Sequence, residues 1–495
     1  MPTTSPTVSP TTSSGFWNKR SSPGATAAAA IAGLVLFYLV FAISGATLNA
    51  VVLAIIVMVT LCLVRVPVTI ALLLGALSGG LHSGLGVAGS LDAFNSNILV
   101  GAQVGLTYIM VGALAVALAR SGLIELFSSR LSRRIGTAPQ SSTAATKWTL
   151  YGLLALVAVL SQNAIPVHIA FIPILIPPLL STFNQLQIDR RAVACILACM
   201  MSASYLLLPV GFGAIYLEEI LVPNANEFGA SFGLHVTPEM APNAMFWPVM
   251  GLIAGMFFAV FITYRKKREY PEPAPNSTTQ AEITTASPHV RPFPLIMTIV
   301  AIVVVLVCQF AFDSLMLGAM LSFMVLSLSG LFSWSEQDDV FTQGILMMAN
   351  IAVIITVASG FAGLLEATGH IQPLIEATAG FIGENKAFAA FFLLIVGLFL
   401  TIGFGDSFAS VPILAPIYIP LALTLGFSPL ATLSLLGASA ALGDAGSPAS
   451  TISLGVTSGL NGDGRHDHIR DTVIPTFFHC NIGMLLFGAA AALLL

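Results

Sequence analysis

Pro173-Ile174-Leu175-Ile176-Pro177 and Pro412-Ile413-Leu414-Ala415-Pro416 are nearly the same five residues written twice, 239 positions apart. The same offset carries Pro209 onto Pro448, and one of 247 carries Ser121-Gly122 onto Thr368-Gly369. Working outward, apolar segments lie near 25–43, 47–64, 66–81, 98–119, 148–182, 192–221 and 244–264. They resume at 293–311, 314–332, 341–365, 387–425, 430–458 and 472–495. The runs at 148–182, 192–221, 387–425 and 430–458 are interrupted by polar residues, Gly and Pro at corresponding places. The chain therefore reads as a polar tail (1–24), a leading span (25–44), one repeat (45–264), a polar linker (265–292) and a second repeat (293–495). Internal duplication of this kind is a property of secondary transporters.

Composition sets the solvent. Of 495 residues, 56% are apolar and only 8% charged, with a mean hydropathy of +0.93. A soluble domain carries about 25% charged residues, so this chain cannot build a water-facing surface. Runs of about 20 apolar residues match a hydrocarbon core about 30 Å thick, whereas barrel strands would alternate polar and apolar positions. The expected fold class is an all-α polytopic membrane protein. A net charge of −4 without a Lys/Arg-rich face excludes a nucleic-acid partner. Cys62, Cys195, Cys199, Cys308 and Cys480 lie in or beside apolar segments without zinc-site spacing and read as free packing thiols. The Ser/Thr/Pro-rich start is too polar for a cleaved signal peptide.

Charge then supplies topology. With Lys19 and Arg20 in the cytoplasm, and 148–182 and 387–425 each entering and returning to the same side, every Lys and Arg except Lys386 collects on the cytoplasmic face. A single crossing by 148–182 would place the Arg265-Lys266-Lys267-Arg268 cluster outside. The arms of these returning runs are short for full spans, so each is expected to be a re-entrant hairpin. About eleven net crossings follow, with the N-terminus inside, the C-terminus outside and the two repeats inverted. The segments 120–146 and 366–385 mix charge with Leu, Ile and Phe, and read as interfacial or loop helices.

The candidate site lies where the interruptions meet: hairpin tips at 162–168 and 403–410, and broken helices at 202–213 and 443–451. Unwound carbonyls suit a cation and helix N-termini suit an anionic group. Asp406 and Asp444 stand alone as acids in apolar surroundings, with no Lys or Arg at like depth, so Na⁺ or a proton is their expected partner. Capping a half-helix is the alternative role for Asp406. Asn163, Ser202, Ser204, Ser407, Ser410, Ser447, Ser450 and Thr451 supply further oxygens, although hydroxyls in membrane helices often bond only the preceding turn. His168 is either a ligand or a satisfied structural histidine. His466-Asp467-His468 invites a metal reading, but without further ligands it is expected to be a solvated turn. No nucleophile–base pair, nucleotide motif or cofactor motif is visible, so an enzyme is not expected.

Ala441-Leu442-Gly443-Asp444-Ala445-Gly446-Ser447-Pro448-Ala449-Ser450, then Thr457-Ser458-Gly459-Leu460-Asn461, His466-Asp467-His468 and Asp471-Thr472-Val473-Ile474-Pro475-Thr476-Phe477, together resemble the Na⁺/H⁺ antiporter family related to NhaC. The likeness is strongest to its YuiF-like branch, associated with amino-acid (histidine) transport, and the 162–178 run is similar to the same branch. It extends over most of the chain from about residue 45. The resemblance implies the ion-transporter superfamily, inverted repeats with hairpins, an inner-membrane location and a homodimer. The implied activity is Na⁺/H⁺ exchange, or cation-coupled uptake of an amino acid or other small organic solute, with no cofactor beyond the coupling ions. This chain departs from the branch in carrying Asp406 where the branch has Thr, and Thr451-Ile452 where it has Asp-Ser.

Overall fold

The computed structural model describes residues 48–64, 66–122, 143–163, 172, 175–270, 292–312, 314–402 and 405–495. The expected tail and the whole leading span, most of the 120–146 segment, most of the first hairpin tip with His168, and most of the linker lie outside them. Among the described residues all regular structure is helical. Hydrocarbon offers backbone N–H and C=O groups no partner, so each segment must bond within itself. In chain order the helices are α1 (Ala50–Leu63), α2 (Val68–His82), α3 (Gly86–Ala119), α4 (Thr143–Asn163), α5 (Arg190–Leu207), α6 (Val222–Gly229), α7 (Met240–Phe258) and α8 (Pro292–Phe312). There follow α9 (Leu315–Leu328), α10 (Gln337–Ala367), α11 (Ile371–Ile382), α12 (Lys386–Thr401), α13 (Ser407–Thr424), α14 (Pro429–Ala441), α15 (Thr451–Leu460) and α16 (Ile482–Leu494). Short α, 3₁₀ and π turns join several of them. Seven helices among the described residues are long and apolar enough to cross a membrane. The chain is therefore a multi-pass membrane protein.

The interruptions fall where backbone chemistry demands them. α5 stops at Leu207, two residues before Pro209, and Gly211 turns with φ of +61° before the helix restarts as Phe212–Ala214, the π turn Ile215–Leu221 and α6. The first break thus spans 208–211 rather than 202–213. Ser202 and Ser204 remain inside α5, because the helix ladder needs no adjustment until the proline removes a donor. The second break, 442–450, lies between α14 and α15, with Gly443, Gly446 and Pro448 in it and Ser450 capping α15. Asp406 caps α13 by accepting the Ala409 N–H at 2.9 Å.

α3 and α10 form the longest helix pair, packed side by side. Gly101, Gly105 and Gly112 line α3 at the contact: a Cβ on Gly101 would lie 2.6 Å from the Ile355 carbonyl, and one on Gly112 2.5 Å from that of Gly344. Lipid tails supply no hydrophobic push between helices, so such small-residue seams, which maximise van der Waals contact, take its place.

Ion pairs gather at one end of the bundle. Arg190, fully buried, donates to both Asp463 oxygens (2.6 and 2.5 Å), to the Leu460 carbonyl (3.0 Å) and to Asn184 (3.0 Å), with Tyr270 across its guanidinium at 4.4 Å. Arg268 bonds Asp471 at 2.9 Å, and Arg191 pairs with Asp189 at 2.6 Å. Burial alone would raise the Asp463 carboxyl, but its bonds to Arg190 hold it below the usual carboxylate range. Elsewhere, Lys386 at the start of α12 donates to the Gly426 carbonyl just beyond α13 (2.5 Å), and Asn49 donates to the His370 carbonyl (2.7 Å).

Replacing Gly105 by Leu should separate α3 from α10 and lower thermal stability in detergent by about 1–3 kcal/mol or more. Gly152→Ala is the control, because a Cβ there meets nothing within 4 Å and its unfolding temperature should stay unchanged.

Candidate functional site

The site is assembled from helix ends. Asp444 lies in the 442–450 break and is 5% exposed. Its Oδ2 accepts a short hydrogen bond from the Tyr205 hydroxyl and one from Ser407 at 3.1 Å, while Oδ1 accepts from Ser450 at 3.3 Å. Tyr205 Oη and Ser407 Oγ are also 2.8 Å apart. One carboxylate thus joins α5, α13 and the break itself. Gly405, at φ +59°, lies so close to the break that a Cβ would sit 2.6 Å from Ser447 Oγ. Ser447 in turn donates to the Ile402 carbonyl at 2.8 Å.

The first break is held in the same manner. Asn163, the last residue of α4, donates to the carbonyls of Ser204 (3.2 Å) and Leu208 (3.3 Å), which also accept the Leu208 and Val210 backbone N–H groups. Gln309 of α8 accepts the Gly211 N–H at 3.1 Å. Between the two breaks lies a cavity of about 20 Å³, lined among others by Tyr108, Gln162, Tyr205, Asp406, Asp444 and Thr451. A single water requires roughly 10–15 Å³, so the space fits one water-sized occupant beside two acids. Tyr108, buried on α3, turns a hydroxyl with no hydrogen-bond partner among the described residues toward this group, and its ring rests on Phe212 and Phe408.

Residues 197–489 match the Na⁺/H⁺ antiporter family, and residues 49–135 match a second Na⁺-H⁺ antiporter family description. The chain belongs to the Na⁺/H⁺ antiporter family. An uncharacterized membrane protein of Haemophilus influenzae is 44% identical over 83% of this chain and 91% of its own length. "Putative amino acid transporter YuiF" of Bacillus subtilis is 42% identical over 83% of this chain and 92% of its own length. Among solved structures, the Neisseria gonorrhoeae antimetabolite efflux pump MtrF aligns over 83% of this chain and 86% of its own at a TM-score of 0.56. The Alcanivorax borkumensis YdaH transporter aligns over 88% and 97% at the same score, each with 16% identity. The last two likenesses concern the fold alone. Together these matches make the chain a membrane transporter.

Within this antiporter-family chain, Asp444, Ser407 and Ser450 meet directly, Ser447 braces their support, and Asp406 and Thr451 line the cavity. Ser202 is buried within α5 without a bonding partner among the described residues, and is not among the cavity-lining residues. Ser204 and Ser410 spend their hydroxyls on their own turns, at Met201 O (2.9 Å) and Asp406 O (2.5 Å). Tyr205 and Tyr108 are not legible in the sequence, since neither is a charge or a helix breaker, whereas Gln162 falls at the expected first tip and lines the cavity. One signal was present: the repeat offset of 239, applied to Asp444, points to Tyr205. Glu218 and Glu219, half-buried in the π turn after the first break, were likewise passed over as loop acids.

Within His466-Asp467-His468 only His466 is withdrawn from solvent; Asp467 is exposed and His468 half-buried. His466 is 2% exposed and bonds Thr472 Oγ1 at 2.7 Å, and burial pushes its imidazole down to about 4. Among the described residues no three His, Cys, Asp or Glu side chains cluster as metal ligands.

The Tyr205–Asp444 bond is testable by a double-mutant cycle. Tyr205→Phe and Asp444→Asn should each lower the unfolding temperature, and the double variant should fall short of their sum. The expected coupling is about 1.5–3 kcal/mol, the range for a hydrogen bond to a charged group.

Proposed function

We propose that this protein is a secondary active transporter of the inner membrane that binds Na⁺ or H⁺ at Asp444 and couples it to movement of another solute, Na⁺/H⁺ exchange being the first activity to test. One observation carries the reading: a carboxylate with three hydroxyl donors and, among the described residues, no Lys or Arg partner, buried in an unwound helix beside a cavity sized for a single small occupant. An isolated ionised acid at membrane depth costs several kcal/mol, and binding either a cation or a proton removes that cost. Asp406 and Thr451 complete the oxygen lining, Ser407 and Ser450 orient the carboxylate, and Asn163 holds the facing break. The residues that carry the site come from both halves of the chain.

The inverted-repeat arrangement is part of this proposal. Asn163 reaches Leu208 and Ser447 reaches Ile402, and both bonds join positions 45 residues apart, one in each half. Tyr205 and Asp444, equivalent under the repeat offset, touch, which is expected only near a two-fold axis. The Lys386–Gly426 bond, joining the two ends of 387–425, supports that run returning to the side it left. The Arg190, Arg191 and Arg268 cluster supports one cytoplasmic, positively charged face. A hydrophobic span count of eleven, with the N-terminus inside and the C-terminus outside, remains the topology proposed.

A cation-coupled permease for an amino acid or other small organic solute is the second reading, favoured by the relative named as an amino acid transporter. Purified protein in liposomes separates the two. Na⁺-driven proton release, reduced at least about tenfold in Asp444→Asn, supports exchange at this carboxylate, since the variant cannot ionise. Unchanged flux in Asp444→Asn removes that residue from the mechanism. Radiolabelled amino-acid uptake that follows the Na⁺ gradient selects the permease.

A further inference from the structure

A chain of hydrogen bonds leads from the arginine-rich end of the molecule to the unwound segment that carries Asp444. His466 Nε2 lies 2.7 Å from Thr472 Oγ1, Thr472 Oγ1 lies 3.0 Å from Thr457 Oγ1, and Thr457 Oγ1 lies 2.7 Å from His468 Nδ1. His468 Nε2 ends the chain at the Pro448 carbonyl, 3.0 Å away. Pro448 lies in the 442–450 break, between Ser447 and Ser450. Thr472 is fully buried and Thr457 and His466 nearly so, whereas His468 is half-buried and open to solvent on one side.

Bonding rules fix the protons. A carbonyl only accepts, so His468 Nε2 carries hydrogen whatever the charge of the ring. With the ring neutral, Nδ1 accepts from the Thr457 hydroxyl, whose other acceptors in reach are Thr472 Oγ1 and the Ser453 carbonyl. With the ring charged, Nδ1–H donates to the Thr457 oxygen, and the Thr457 hydrogen turns to the Ser453 carbonyl, already placed at 2.8 Å. In both charge states the ring keeps both bonds, and no heavy atom moves. A histidine held by one fixed donor and one fixed acceptor would lose a bond on titrating; this one exchanges a rotor.

We propose that His468 is a proton-binding site of this protein, whose charge acts through the Pro448 carbonyl on the segment that holds Asp444. Asp467 and Arg470 share its turn, and the charges that act on the neighbouring His466 are Asp471, Arg190, Arg268 and Asp189. Asp463 is matched by Arg190, Asp471 by Arg268 and Asp189 by Arg191, so the variable charge in this group is the imidazole's. His466, at about 4, stays neutral through the range in which an ordinary histidine titrates and serves as the fixed end of the chain. A proton taken up by His468 adds positive charge beside the break and opposes a cation on Asp444. That consequence rests on the cation-coupled reading; the protonation itself does not.

The test uses full-length protein with ¹⁵N-histidine in lipid nanodiscs. Across a pH series, one imidazole signal, absent from His468→Gln, should keep Nε2 protonated throughout while only Nδ1 gains or loses its hydrogen. A His468 signal that stays in one form over the series, or that loses its Nε2 proton, overturns the proposal. In liposomes, Na⁺-driven proton flux should differ about fivefold or more between pH 6.5 and 8 in the wild type. In His468→Gln, whose amide reproduces only the neutral ring, that ratio should collapse to about twofold or less. A ratio unchanged in the variant overturns the link to Asp444. Absence of flux from the wild type overturns the exchange reading instead, and the spectra still decide the protonation of His468.

Discussion

A carboxylate without a countercharge, kept out of water, is the constraint around which this structure is arranged. Asp444 is held by the hydroxyls of Tyr205, Ser407 and Ser450, none of them charged. A basic partner would have settled the acid permanently; neutral donors make burial tolerable and leave the position responsive to a mobile cation or proton. Each donor requires its own piece of architecture. Tyr205 needs α5 to run to Leu207, Ser407 needs α13 to begin there, and Ser450 needs the helix broken at Pro448.

That arrangement depends on exposed backbone being repaired by neighbours. In lipid an unwound helix leaves N–H and C=O groups that cost several kcal/mol each if nothing meets them. Asn163 supplies one bond to the first break and one to the last turn of α5, Gln309 one to the break, Ser447 one to the chain before α13, and His468 one to Pro448. The polar residues of the interior are therefore of two kinds: those that stitch broken backbone, and those that face the cavity. At the arginine-rich end, buried Arg190 clasps both Asp463 and the Leu460 carbonyl at the end of α15. It ties one broken helix to the other, so displacement of α5 is transmitted to α15. The close glycine seam of α3 with α10 lies beside this unit and contributes Tyr108 to the cavity.

Much of this was legible before any coordinates. Asp444, Ser447 and Ser450 stood out because an acid and hydroxyls beside Gly443, Gly446 and Pro448 have no purely structural use in a membrane helix. Ser202 and Ser204 were misjudged by the same reasoning, since a proline breaks the ladder around itself and not a turn and a half earlier. Tyr205, chemically the nearest partner of Asp444, carried no local signal; only the offset of 239 residues pointed to it. His466 reads as surface from its polar neighbours, yet it is buried against Thr472, while Asp467 beside it is exposed.

The amino-acid sequence by itself determined that the chain lies in a membrane as helices, and that Gly and Pro interrupt them in both halves. These are one-dimensional consequences of a slab of hydrocarbon: span length, the cost of a charge and the missing N–H of proline are all read along the chain. Only the tertiary structure decided which buried polar groups meet. Whether Tyr205 reaches Asp444 while Ser202 reaches nothing depends on the angle and depth at which α5, α13 and the break cross. Those are set by the close packing of many side chains at once, and no local stretch of sequence contains them.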